Sequence, residues 1–153
     1  MAISRLRLGA AALTGIVLSL SVASCAGDTP AASGATSTDA AIGAVDLSDV
    51  CPATVVIQTD WNPQAEQGGL YQLLGPNPTI DADAKVVRGP LYARGEYTGV
   101  DVEVRAGGPA IGFTPVPSQM YSDKDVLLGW VNTDEAVQNS VAMPTTAVLA
   151  TFE

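Results

Sequence analysis

Apolar positions fall along this chain in short bursts, separated by loops rich in glycine, proline and asparagine. TVVIQTD, residues 54–60, is a nearly unbroken β-branched run, the pattern of a strand covered on both faces, as in a parallel sheet. GVDVEVRA, 99–106, alternates valine with Asp, Glu and Arg, which predicts a strand with one wet face, nearer a sheet edge. DVLLGWV, 125–131, and TTAVLATF, 145–152, predict a third and a fourth strand. NTDEAVQNSVA, 132–142, reads as a helix: Asn132 or Thr133 can cap it, Asp134 and Glu135 fill its first turn, and Pro144 stops it. PVPSQMYSD, 115–123, reads as a shorter helix opened by prolines. The stretch 67–95 is less regular: LYQLL suits a helical turn or a strand, and GPNPTIDADAKVVRGPL carries the turn residues of a hairpin, so an insertion with one hairpin is expected. Strands alternating with short helices predict an α/β domain with a mostly parallel sheet.

The first residues change the picture of where that domain sits. Arg5 and Arg7 precede an apolar run from Leu8 to Ala23, shorter than the roughly 20 residues a spanning helix needs. Basic, then apolar, then small residues before a cut site is the order of a secretory signal. The run ends in VASC, the pattern of a bacterial lipoprotein signal over residues 1–24, with Cys25 as the lipidated first residue of the mature chain. The competing reading is an ordinary secretory signal with a free cysteine. Several acyl chains on one residue anchor a protein stably where one does not, so the lipoprotein reading places the chain outside the cytoplasm, held to the membrane through Cys25. The stretch from residue 26 is mostly small and polar, too poor in bulk to order itself, so residues 25–50 are expected to be lipidated cysteine and flexible tether, with the folded body over 51–153.

Charge and cysteine count narrow the partners. Of seven basic residues two lie in the leader, which leaves five against sixteen acidic residues, a net charge of −11 for the mature chain. No stripe of Lys or Arg remains, so nucleic acid is not an expected partner. If Cys25 carries lipid, Cys51 has no partner in this chain; it is either a buried thiol of no consequence or one that bonds a cysteine of a longer chain. There is no histidine, no metal-ligand cluster, no Gly-x-Ser-x-Gly elbow and no phosphate loop. The chain is therefore not expected to be an enzyme, and neither cofactor nor metal is expected.

In parallel α/β sheets, ligands bind beyond the carboxyl ends of the strands. Three loops leave those ends. The first holds Asp60, Trp61, Asn62 and Gln67, followed by Gly68, Gly69 and Tyr71; an indole for stacking beside amides for directional hydrogen bonds is the make-up of a small-molecule site. The second, AGGPAIG at 106–112, has Gly107 and Gly108, whose backbone N–H groups a polar ligand could approach. The third, with Asn132, Thr133 and Asp134, sits at a helix N-terminus, which favours polar or negative ligand atoms. Each has a plainer alternative: Trp61 as a plug beneath the sheet, Gly-Gly-Pro as a turn, Asn132 or Thr133 as a cap. A cleft requires Trp61, Gly108 and Thr133 to converge; a surface interaction module does not.

A leader ending in Cys25, a polar tether and a first strand ending in DWNPQAEQGGLY resemble the solute-binding lipoproteins of ABC importers, in the branch related to thiamine-pyrimidine-precursor synthases and akin to the nitrate, sulfonate and taurine binders. Asp60, Trp61 and Pro63 match that branch's Asp-Trp-x-Pro motif, and Gly68, Gly69 and Tyr71 match the stretch after it; Gln67 stands where a histidine is often found. GVDVEVRAGGP, the unit 118–137 and TTAVLATFE resemble later parts of the same lobe. The resemblance implies a partial first lobe of a periplasmic-binding-protein (type II) fold, truncated relative to two-lobed members of about 300 residues. It further implies a small polar or heterocyclic ligand, an ABC permease as membrane partner, and Asp60, Trp61, Asn62, Gln67, Tyr71, Gly107, Gly108, Asn132, Thr133 and Asp134 around the ligand. Two other expectations stand beside it: a small surface-anchored lipoprotein acting as an interaction module without transport, marked by a flat exposed patch, and an enzyme of pyrimidine synthesis, which the export signal and the absent histidine disfavour.

Overall fold

The computed structural model describes residues 40–151. The leader, Cys25 and most of the expected tether lie outside the described residues. The elements, in chain order, are β1 (Thr54–Gln58), α1 (Gly68–Tyr71), β2 (Thr79–Asp81), β3 (Val86–Ala93), β4 (Glu96–Arg105), α2 (Val116–Ser122), β5 (Val126–Gly129) and α3 (Thr133–Asn139). Five strands form one sheet in the order β2-β3-β4-β1-β5. β1 runs parallel to both β4 and β5, while β2–β3 and β3–β4 are antiparallel. The domain is thus α/β, but its sheet is mixed where a mostly parallel one was expected.

Two residues cause that difference. Arg94 and Gly95 join β3 to β4 with φ of 54° and 83°, and Ala93 pairs with Glu96 across them. Two left-handed residues in succession match the twist of the flanking strands and return the chain as a tight hairpin. The expected insertion is therefore part of the main sheet and contains two hairpins. The other one, β2–β3, turns on Asp81, whose Oδ1 accepts the N–H groups of Asp83 at 3.1 Å and Ala84 at 2.8 Å.

The alternation in β4 has another consequence. Val100, Val102 and Val104 face one side and join Val55 and Ile57 of β1 in the core, covered by Leu47, Cys51, Leu70, Tyr71, Leu73 and Leu91. Asp101, Glu103 and Arg105 face the other side, which predicted an edge strand. β4 is instead central, because the charges on that face neutralise one another. Glu103, 6 % exposed, accepts from both Arg88 of β3 and Arg105, and Arg105 Nη1 donates to Asp123 Oδ2 at 2.8 Å. Burial pushes the Glu103 carboxyl up, but the two guanidiniums outweigh it and hold the group below the ordinary glutamate range. α2 covers the same side nearer β5, and its Val116 and Met120 sit so close to Gly129 that no side chain would fit there.

At the start of the fold, residues 42–51 lie along the beginning of β4 rather than free as tether. Gly43 N donates to Tyr97 O and Leu47 N to Thr98 O, both at 2.8 Å. Cys51 is half-buried against the core and free among the described residues, which fits both expected readings of the thiol. At the other end, residues 145–151 form no strand, and Val148 and Leu149 are each 76 % exposed. β-propensity alone does not make a strand; it needs a neighbouring edge to pair with, and this segment pairs with none. Phe152, the last of the expected strand, is outside the described residues. Among the described residues no helix is long and apolar enough to cross a membrane.

Candidate functional site

β1, β4 and β5 all end at the same pole of the sheet, and a pocket of about 220 Å³ opens there. Asp60 and Trp61 line it from the first loop, Gly108 from the second, and Asn132 from the third. Phe113, Thr114, Pro115, Val116 and Glu135 complete the wall. Trp61 does not plug the core: it is 43 % exposed, with its ring against Gly108.

The meeting of the first two loops is built on hydrogen bonds. Gly107 N donates to Trp61 O at 2.9 Å and to Thr59 Oγ1 at 3.1 Å, and Gly108 N donates to Asp60 O at 2.9 Å. Gln58, buried at the end of β1, turns its Nε2 to Thr59 O and Ala106 O, both at 3.0 Å. The backbone donors expected to meet a ligand are consumed here. Glycine is required for a different reason: a Cβ on Gly107 would overlap the Thr59 carbonyl oxygen, and one on Gly108, at φ 56°, would lie 2.7 Å from Trp61 Cε3. The glycines let one loop lie flat against the other and against an indole.

The remaining expected residues divide. Gln67 is fully buried; its Nε2 donates to Asp60 Oδ1 at 2.9 Å and its Oε1 accepts from Gln64 N at 3.3 Å, so it holds the loop and orients the carboxylate. Tyr71 packs on the valine face of the core, where burial raises its phenol. Asn62, Thr133 and Asp134 are exposed and do not line the pocket, so of the expected convergence Trp61 and Gly108 meet while Thr133 stands outside, its neighbour Asn132 taking the place. Asn132 is the N-cap of α3, yet its side chain makes no cap hydrogen bond and lines the pocket instead. α3 has seven residues with Asp134 and Glu135 in its first turn, so its positive end is already met by two acids.

Five wall residues, Phe113, Thr114, Pro115, Val116 and Glu135, were not among the expected site residues, and two of them carry the site's chemistry. Phe113 adopts φ 59° and is 66 % exposed, its ring centroid 5.8 Å from that of Trp61 at 49°. A bulky residue in the left-handed region is uncommon and costs energy. The signal was present in Ile111-Gly112-Phe113, an aromatic after a loop glycine, but only coordinates reveal its backbone. Glu135, read as a helix-start residue, carries a raised pKa: burial is the largest cause, then Asp134, then Asp60, while the Val116 N–H opposes them. Glu135 and Asp60 therefore share one field.

The architecture is a mixed α/β domain with a small, open, aromatic and acidic pocket at the carboxyl ends of its parallel strands. No family model, no curated protein and no solved structure matches the chain.

Proposed function

We propose that this chain is the ligand-gripping part of a solute-binding lipoprotein of an ABC importer, built on the first lobe of a periplasmic-binding-protein fold. It is a binding protein rather than an enzyme, anchored outside the cytoplasm through Cys25, and it delivers a small polar or heterocyclic nutrient to a permease. The observation that carries the reading is the convergence of the three strand-end loops on one pocket, with Trp61 laid open between Gly108 and Phe113. That is where open α/β sheets hold ligands, and Asp60-Trp61-Asn62-Pro63 is the stretch that carries the family resemblance.

The site of tether attachment agrees with this role. Residues 42–47 are stitched to the start of β4, and the pocket lies beyond its end. From Thr98 to Arg105 a strand spans about 23 Å. The folded body therefore meets its tether at one pole and carries its pocket at the other. The lobe supplies one wall, and closure of a second lobe over it gives the contacts that make binding tight.

A titration of the nitrogen-labelled full chain in non-ionic detergent with a panel of small nutrients tests the reading. The indole N–H resonance of Trp61 is expected to move saturably with at least one compound while that of Trp130 stays in place, and Trp61→Ala is expected to abolish binding. Saturable binding that bypasses Trp61 would refute it. The second reading, a surface interaction module, is favoured by Leu127, Val148 and Leu149, all at least half exposed; it predicts resonance shifts at those residues on adding a protein partner and none at Trp61 with small molecules.

A further inference from the structure

Among the described residues, the charged side chains that line the pocket are both acidic, Asp60 and Glu135, with no Lys or Arg in the lining. Arg105, on the side of β4 that α2 covers, is taken up by Glu103 and Asp123 and does not line the pocket. One oxygen of Asp60 is satisfied by Gln67. Among the described residues neither acid has a cationic partner in the pocket. Two aromatic rings at large exposure share the pocket wall with them, one held on a backbone conformation that a phenylalanine enters only at a cost.

Aromatic faces attract cations through their quadrupoles, and carboxylates attract them by Coulomb's law; in a concave site the two effects add. The same arrangement repels nitrate and sulfonate. A divalent metal is poorly served, since calcium takes six to eight oxygens and no group of three or more metal-binding side chains occurs among the described residues. We propose that the pocket selects a small organic cation, its ammonium group seated between Asp60 and Glu135 and its carbon body against Trp61 and Phe113. This rests on the solute-binding reading of the same pocket and names the charge class of its ligand.

The test compares choline and butylammonium with the uncharged choline isostere 3,3-dimethylbutan-1-ol and with nitrate, following the Trp61 indole resonance of the full chain in non-ionic detergent. At least one cation is expected to bind about tenfold or more tighter than the alcohol, with nitrate not binding. Glu135→Gln, a change on the surface of α3 that leaves the loop hydrogen bonds intact, is expected to remove most of that preference without weakening the alcohol. Asp60→Asn with Glu135→Gln is expected to erase it, and the unchanged Trp130 resonance reports that the fold survives. Phe113→Leu, which keeps an apolar wall but no ring face, is expected to weaken the cation more than the alcohol. Alcohol or nitrate binding as tightly as the cations, or a preference that survives both acid substitutions, overturns the inference and leaves solute binding standing. If no probe of either sign or of none perturbs Trp61, the inference falls, and the nutrient panel decides the solute-binding reading separately.

Discussion

TVVIQTD at 54–60 and TTAVLATF at 145–152 look alike on paper, each a short run of β-branched and apolar residues. Their fates are opposite. The first is β1, paired on both sides and buried from Val55 to Thr59. The second has no regular structure over its described residues, with Leu149 exposed. The difference is not propensity. β1 finds β4 on one flank and β5 on the other, and its side chains meet Val102 and Val104 on one face and α2 on the other. A strand is a relation between segments, and the energy sits in cross-strand contacts and burial.

Three predictions bear on that contrast. The largest effect belongs to the joint where β1 ends. Gly107→Ala forces a methyl group into the backbone of residues 59 and 60, and is expected to cost about 3 kcal/mol or more in urea denaturation. Gly69→Ala in α1, where nothing lies within 4 Å of the added carbon, is expected to be neutral or to stabilise by up to about 1 kcal/mol. Equal effects at the two glycines would show that the loop joint does not bear on stability.

Next comes the direct comparison of the two segments. Ile57→Ala empties a site in the core and is expected to lower unfolding free energy by about 2–4 kcal/mol. Leu149→Ala is expected to change it by less than about 0.5 kcal/mol. A large loss at Leu149 would mean that the last segment is packed in solution.

The smallest effect depends on pH. Because the folded state holds Glu103 below its ordinary pKa, its ion pairs contribute stability that is present above that ordinary value and is lost as pH falls through the lower folded value. Wild type is therefore expected to exceed Glu103→Gln in urea midpoint at neutral pH, with the two converging in acid below the usual glutamate range. A gap that stays constant into acid would assign the stabilisation to packing alone. An exposed ion pair contributes little, but Glu103 is almost fully covered, and removing its charge leaves Arg88 and Arg105 without their shared acceptor.

The pocket was partly legible in advance. The loops at Asp60-Trp61, Gly107-Gly108 and Asn132 could be placed at one end of the sheet because each follows a strand pattern, and parallel strands put such loops together. Which atoms face the opening could not be read that way. Gln67 carries the same amide a ligand site uses, yet it is spent on Asp60 and Gln64. Tyr71 lies on the core side of the loop, and Phe113 reaches the pocket through a left-handed backbone that no residue type announces.

Sequence alone determined the strands at 54–58, 96–105 and 126–129 in their cores, the two longer helices, the acidic balance, and the candidate loops, because these follow from side-chain periodicity, capping residues and simple counts. Tertiary structure decided that β4 is central, that the sheet is mixed, that 145–151 stays unpaired, and that two acids and two rings share one opening. The physical reason is common to all four. Each depends on which distant segments come to lie side by side, and a one-dimensional pattern holds the preferences of each segment but not the identity of its neighbours.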